Sequence, residues 1–283
     1  MIKLVRAAAL ILSVSVSWFC HGEPRTIVFN NDPAEKEQYL VGLLKLAAEK
    51  SGYGLIPKPS SQVLTDAKAR KELEAGDLDV YWMAADRTNE KQYMPIRIPL
   101  IKGLLGYRIF IINQGDQDKF NDVSGLPELK NLVAGQGRFW GDTPILENAG
   151  LPLETSVKYE NLFYMLEGDR FDYFPRAVHE PFSEITRFRH LGLTLENKLM
   201  LVYPTAMYFY VNNNDPELAR ALEKGLNTAI SDGSFDRYFY SNQLIRNALE
   251  STNIRSRRVI EINNPYLPDE TPLDRKELWL SLN

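Results

Sequence analysis

The chain has 283 residues, of which 44% are apolar and 25% charged, with a formal net charge of −4 and a single cysteine. A chain with net negative charge lacks the positive field that phosphate binding requires, so we expect no nucleic-acid partner. The length is sufficient for a large core and lies near the point at which chains divide into two domains.

The first element along the chain is a basic segment with Lys3 and Arg6, followed by an apolar run at residues 7–19. This pattern is typical of a secretory signal peptide, because the run is shorter than the roughly 20 apolar residues of a spanning helix. We expect cleavage after Gly22, which removes Cys20 and leaves a periplasmic protein. Lipid attachment at Cys20 is an alternative, which the preceding phenylalanine disfavours.

Strand-like and helix-like segments then alternate, which predicts parallel sheets with crossover helices. The first unit combines expected strands at residues 26–30, 54–58 and 78–83 with helices at residues 33–51 and 65–75. The first helix is expected to begin with Asp32 as its N-cap and Pro33 at its first position, and to end at Gly52.

The same order of elements recurs after Asn113. Strands are expected at residues 132–135, 155–159 and 171–174, and helices at residues 142–149 and 160–167. Strand-like stretches at residues 107–113, 199–203 and 207–212 surround this second unit and indicate that the chain crosses twice between two lobes. A helix from Asp215 follows, and the last fifteen residues are expected to pack on the surface.

We therefore predict an α/β fold with two lobes, each a β-α-β-α-β-based sheet flanked by helices, joined by a two-strand hinge. Residues 1–22 would form the signal peptide. Lobe 1 would comprise residues 23–108 and 206–283, and lobe 2 would comprise residues 109–205.

Three stretches carry a resemblance to a known family. Residues 74–80 read EAGDLDV, residues 166–172 read LEGDRFD, and residues 216–240 read PELARALEKGLNTAISDGSFDRYFY. In these stretches the chain resembles the family 3 extracellular solute-binding proteins of the type 2 periplasmic binding fold, the substrate-binding proteins of amino-acid-type ABC transporters. The resemblance implies that two lobes close on a small polar solute, such as an amino acid or a dicarboxylate, and deliver it to a membrane permease.

In open parallel sheets, ligands bind beyond the carboxyl ends of the strands, and this rule selects four loops. The first loop offers Asn31, next to the expected cap. The second offers Trp82, Ala84 and Arg87, where the family places an arginine that holds the ligand carboxylate. A guanidinium suits that role because its planar fork meets a carboxylate with two hydrogen bonds, although a surface arginine is an equal alternative.

The third loop, residues 135–143, offers Gly137, Arg138, Trp140 and Thr143 at a helix start. Its glycine spacing is one residue longer than the dinucleotide fingerprint, so we expect no nucleotide cofactor. Trp140 is either a stacking wall for the ligand or a packing residue.

The fourth loop offers Arg176 and Glu180, whereas the family's ammonium-binding aspartate is replaced here by Ala177. If Arg176 faces the cleft, we expect a ligand that is negatively charged at both ends or lacks an amine. Lys102 and Tyr203 are further candidates near the hinge.

The residues do not indicate an enzyme, since no HExxH or GxSxG spacing occurs and no metal ligand set or cofactor is expected. We expect a monomer that binds a small polar, carboxylate-bearing solute for an ABC permease. Two alternatives stay open: a periplasmic sensor component that signals to a membrane receptor, and a dehydratase-type enzyme on the same fold.

Overall fold

The computed structural model describes residues 23–282, so the expected signal peptide and Cys20 lie outside the described residues. The strands are β1 (Arg25–Phe29), β2 (Leu55–Pro59), β3 (Tyr81–Ala84), β4 (Met94–Ile96), β5 (Tyr107–Asn113), β6 (Ala134–Gly137), β7 (Leu153–Ser156), β8 (Phe174–Ala177), β9 (Leu193–Leu195), β10 (Leu199–Val202), β11 (Met207–Val211) and β12 (Arg258–Glu261). The α-helices are α1 (Glu35–Ser51), α2 (Asp66–Ala75), α3 (Arg87–Gln92), α4 (Leu126–Leu129), α5 (Thr143–Asn148), α6 (Tyr159–Glu167), α7 (Pro181–Arg187), α8 (Pro216–Ser231), α9 (Ser234–Ser241) and α10 (Gln243–Glu250). Within residues 23–282, no helix has the length and apolar character needed to cross a membrane.

The first lobe is built on β1 to β4 and β11. Strand β1 pairs in parallel with β2, and a parallel bridge from Phe29 to Val80 connects it to the start of β3. Strand β11 lies antiparallel between β3 and β4. Helix α1 packs its apolar stripe, which includes Leu40 and Leu44, with Leu222 and Leu226 of α8 in one buried core. The apolar faces of the two helices therefore meet in the core of the first lobe.

The second lobe is built on β5 to β10. Strands β6 and β7 are parallel, and a parallel bridge joins Ala134 to Tyr173 just before β8. Strand β5 pairs antiparallel with β8, β9 and β10. The core of the second lobe is rich in aromatic residues. Phe110 and Tyr173 lie in one buried cluster, and Phe163 and Phe174 lie in another.

Two chain segments join the lobes side by side, as the sequence predicts for the hinge. Leu201 in β10 is paired with Arg108 in β5, and the backbone N–H of Tyr203 donates to the carbonyl of Gly106 at 3.1 Å. A Cβ atom at Gly106 would lie 2.0 Å from the carbonyl oxygen of Tyr203, so only glycine fits where the segments cross.

The C-terminal part of the chain also touches both lobes. Strand β12 pairs in parallel with β10, which extends the sheet of the second lobe. The segment that follows returns to the first lobe, where Leu278 and Leu280 are buried. The expected lobe boundaries remain predictions. They placed β12 in lobe 1 and did not anticipate its pairing with β10.

Three expected elements are corrected. Helix α1 begins at Glu35 without a cap from Asp32, whose carboxylate instead accepts from the Ala34 N–H at 2.9 Å in a turn before the helix. Strand β7 ends at Ser156, because Tyr159 already belongs to α6. Strand β8 begins three residues later than expected, since Phe171 packs against Gly135 outside the strand. Arg176 therefore lies within β8 and not in a loop.

Candidate functional site

A cavity of about 500 Å³, called here the interlobe cavity, lies between the two lobes. The first lobe contributes the end of β3 and parts of α1 and α2, and the second contributes residues 139–142 with Arg176 and Glu180. The hinge segments contribute Arg108 and Tyr203, and the C-terminal segment contributes Asn264 and Tyr266. Strand ends and helix starts from both lobes therefore converge on one space, as the sequence predicts.

The twelve residues proposed from the sequence divide into two groups. Those that line the interlobe cavity are Trp82, Ala84, Trp140, Arg176, Glu180 and Tyr203. Those that do not line it are Asn31, Arg87, Lys102, Gly137, Arg138 and Thr143.

The three cationic residues of the second group have other places in the fold. Arg87 binds the C-terminal segment, with 2.9 Å contacts to the Pro265 carbonyl and the Asp269 carboxylate. Lys102 is buried and bonds the Glu277 carbonyl at 2.7 Å. Arg138 is exposed and donates to the Thr155 hydroxyl at 3.3 Å. Each side chain is thus directed by a neighbour outside the cavity.

The remaining three serve the local backbone. A Cβ atom at Gly137 would lie 2.3 Å from the indole of Trp140, so this glycine makes room for the tryptophan. The Thr143 hydroxyl donates to the Gly137 carbonyl at 2.6 Å and holds the start of α5. The exposed Asn31 donates its backbone N–H to the Ser60 hydroxyl at 3.1 Å.

Arg176 faces the cavity, but its positive charge is already paired with two glutamate carboxylates. Its guanidinium forms two parallel hydrogen bonds to Glu184, at 2.9 and 2.7 Å, and an ion pair of 3.1 Å to Glu180. It also lies over the rings of Trp140, at 4.9 Å, and Phe174, at 5.0 Å. Trp140 therefore packs within the second lobe while it lines the cavity.

Arg108 is a cavity residue that the sequence reasoning missed. Its Nε donates to the Tyr203 hydroxyl at 2.8 Å, and its terminal nitrogen lies 2.9 Å from the Asp142 carboxylate. Tyr203 donates in turn to Asp142 at 3.0 Å, so the three side chains form a closed set. The available signal was a single arginine within the otherwise apolar stretch YRIFIIN, since a charge in a buried strand requires a partner.

Asp142 and Asp86 occupy similar positions ahead of helices but behave differently. Asp86 caps α3 and accepts from the backbone N–H groups of Thr88 and Asn89 at 2.7 and 2.8 Å. Asp142 makes no cap bond to α5, because its carboxylate is turned towards Arg108. Sequence alone does not distinguish these two roles.

The pKa values of His179 and its neighbour Glu180 are both lowered, but for different physical reasons. Burial lowers the pKa of His179 to about 4, and neither ring nitrogen has a hydrogen-bond partner among the described residues. Burial acts to raise the pKa of Glu180, but the charges of Arg176 and Arg108 outweigh it and lower this pKa to about 2. At neutral pH the imidazole is therefore uncharged and the carboxylate is ionised.

The wall of the first lobe is also polar and aromatic. The indole N–H of Trp82 donates to Glu37, and Arg70 is held by Asp66, at 2.8 Å, and by Asn89, at 2.6 Å. Within residues 23–282, no group of three or more histidine, cysteine or acidic side chains is placed to hold a metal ion.

A second cavity, of about 670 Å³, adjoins the hinge and is lined by Tyr107, Glu261 and Trp279. It shares Tyr203 and Thr205 with the interlobe cavity but receives no residue from the ends of β3 or β8. The strand-end rule therefore favours the interlobe cavity as the ligand site.

No protein-family model matches the chain, and no curated protein matches it. Among solved structures, it is similar to a probable amino-acid ABC transporter extracellular-binding protein from Bacillus subtilis, with a TM-score of 0.59 and 16% identity over 78% of this chain and 98% of that one. The periplasmic VFT2 domain of BvgS from Bordetella pertussis gives a TM-score of 0.57 at 14% identity, covering 77% and 92%. An ancestral arginine-binding protein gives a TM-score of 0.52 at 17% identity, covering 78% and 97%. The chain thus has the two-lobed α/β fold of periplasmic binding proteins.

Proposed function

We propose that the chain is a periplasmic binding protein that closes its lobes on one small polar solute and delivers it to an ABC permease. The observation that carries this proposal is the interlobe cavity, which both lobes and the hinge line together. A solute that contacts both walls stabilises the closed arrangement, because its contacts are complete only when the lobes meet.

The sequence alone led us to expect a carboxylate on this solute. That expectation depended on arginines that are free to bind it. Arg87 and Arg138 do not line the cavity, and Arg176 is paired with two glutamates. The arginines on which the expectation of a ligand carboxylate depended are therefore not free to bind one.

The test is calorimetric titration of the mature protein with amino acids, dicarboxylates, dipeptides, sugars and amines. We expect one-site binding of one class, and a gain in unfolding free energy of about 2.7 kcal/mol at a hundredfold excess over Kd. Failure of every class to bind would overturn the proposal.

A sensor function is the second candidate, because one similar structure is a histidine kinase sensor domain, with a TM-score of 0.51 and 15% identity. Uptake of the labelled solute by cells separates the two. Deletion of the gene abolishes uptake if the protein serves a permease and leaves uptake intact if it serves a receptor.

A further inference from the structure

The cationic side chains of the interlobe cavity are all engaged with carboxylates. Four of them line it, and their partners are Glu37 for Lys36, Asp66 for Arg70, Asp142 for Arg108, and Glu180 with Glu184 for Arg176. A ligand carboxylate would have to displace one of these internal carboxylates. At Arg108 and Arg176, displacement leaves an acidic side chain that is at most 20% exposed without its cation, which is strongly unfavourable.

The acidic side chains, in contrast, exceed the cationic ones. Five acidic residues line the cavity, and Glu184 lies directly behind Arg176. Asp86 forms no ion pair of 4 Å or less within the described part of the chain, and its carboxylate accepts hydrogen bonds from the N–H groups at the start of α3 and from the side chain of Asn89. The described wall therefore carries a net negative charge.

The uncharged part of the wall is aromatic. Tyr81 and Trp82 come from the first lobe, Phe139 and Trp140 from the second, and Tyr266 from the C-terminal segment. The ring of Phe139 is 80% exposed and is therefore accessible to a ligand. Aromatic faces attract cations through the negative charge of their π systems.

His179 lies next to Glu180 in the chain but does not itself line the interlobe cavity. Its ring is 8% exposed, it has no hydrogen-bond partner among the described residues, and Lys36, Arg108 and Glu180 lie near enough to influence its charge.

On the basis of the proposed function, we infer that the solute bound in the interlobe cavity is a small organic cation, an amine or quaternary ammonium compound whose positive charge is not balanced by a carboxylate. Surplus carboxylates and aromatic faces would hold the cation. The paired arginines would exclude anions.

Calorimetry with two matched ligand series tests this inference. The five-carbon series is cadaverine, ornithine, 5-aminopentanoate and glutarate, whose net charge at pH 7 falls from +2 to −2 on a common chain length. The second series is choline and glycine betaine, which differ by a carboxylate. We expect binding in at least one series, with the most positive member at least tenfold tighter than its carboxylate-bearing counterparts.

The outcomes distinguish this inference from the proposed function. Binding of any carboxylate-bearing member as tight as, or tighter than, the most positive member of its series overturns the inference and leaves the proposed function intact. Binding of a neutral sugar or dipeptide, with neither series bound, has the same meaning. If none of these compounds binds, the proposed function itself fails.

A variant series locates the effect. Asp86→Asn removes a charge but keeps the helix cap, because asparagine caps helices as well as aspartate does. We expect Asp86→Asn to weaken binding of the preferred cation at least threefold. Asp142→Asn frees Arg108 from its carboxylate partner and should weaken this binding at least tenfold. Asp77→Asn, an exposed position outside the cavity, is the control and leaves the affinity unchanged. Unchanged affinity in both cavity variants would overturn the inference.

Discussion

Arg108 in β5 and Asp142 ahead of α5 form an ion pair of 2.9 Å that joins the hinge to the second lobe at the wall of the interlobe cavity. Both side chains are largely withdrawn from solvent, with 6% and 12% of their surface exposed. Tyr203 completes the set through hydrogen bonds to both partners. The hinge is thereby coupled to the site that the solute would occupy.

The first prediction concerns the hydroxyl group of Tyr203. Replacement by Tyr203→Phe leaves the Arg108 Nε–H and an Asp142 oxygen each without one buried partner. We expect the free energy of unfolding to fall by about 2 kcal/mol, as is typical for hydrogen bonds to charged groups. Urea denaturation measures the effect. The control is Tyr164→Phe, whose ring is 51% exposed, and an equal loss there would contradict the argument.

The second prediction concerns the buried pair of Arg176 and Glu184, each side chain of which is 8% exposed. Glu184→Ala leaves the guanidinium with only Glu180, and we expect a loss of about 3 kcal/mol or more in unfolding free energy. The matched control is Glu160→Ala, which breaks the exposed pair with Arg187 and should cost about 1 kcal/mol or less. Similar midpoints in urea for both variants would show that burial does not strengthen the first pair.

The third prediction concerns the pH dependence of stability. Burial lowers the pKa of His179 from 6.5 to about 4, so between these values the unfolded chain binds a proton that the folded protein does not. Stability is therefore complete above about pH 6.5 and falls as the pH decreases to about 4, by up to roughly 3 kcal/mol. The facing groups are Glu180, which favours protonation, and Lys36, Arg108 and Arg176, which oppose it.

Denaturation curves across this range measure the slope. His179→Gln should flatten it, whereas the exposed His190→Gln should leave it unchanged. The contribution of Glu180 to stability is lost at lower pH. Its pKa is lowered from 4.5 to about 2, so its stabilisation decreases as the pH falls from about 4.5 to about 2. The two windows are therefore separable, and an unaltered slope in His179→Gln would refute the assignment.

The fourth prediction concerns tryptophan fluorescence. Trp82 and Trp140 line the interlobe cavity, whereas Trp279 lies at the hinge cavity. Binding of a solute should change the emission of the wild-type protein, and Trp82→Phe or Trp140→Phe should reduce that change. Trp279→Phe should retain most of it. A signal that depends on Trp279 alone would place the solute at the hinge.

Much of the fold could be predicted from the sequence because its signals are local. The left-handed Gly52 at the end of α1 and the Asp215-Pro216 start of α8 depend on residues that are adjacent in the chain. The alternation of strands and helices likewise reflects short-range periodicity, and it was sufficient for the two-lobed architecture. The error at β8 arose where apolar residues before the strand pack elsewhere, as Phe171 does against Gly135.

The sequence by itself determined most of the elements, the crossing of the hinge and three of the four loops proposed to line the cavity. Only the tertiary structure decided which charges of the site are paired. Neighbours in the chain such as Arg176 and Glu180 form an ion pair only where the fold brings both to the cavity wall, and the pair of Arg108 with Asp142 joins residues that are far apart in the chain. Arg108 meets Asp142 and Tyr203, and Arg87 meets Asp269, through contacts that no local pattern encodes. Whether an arginine can receive a ligand depends on these partners, since a guanidinium already paired with a carboxylate offers little to another.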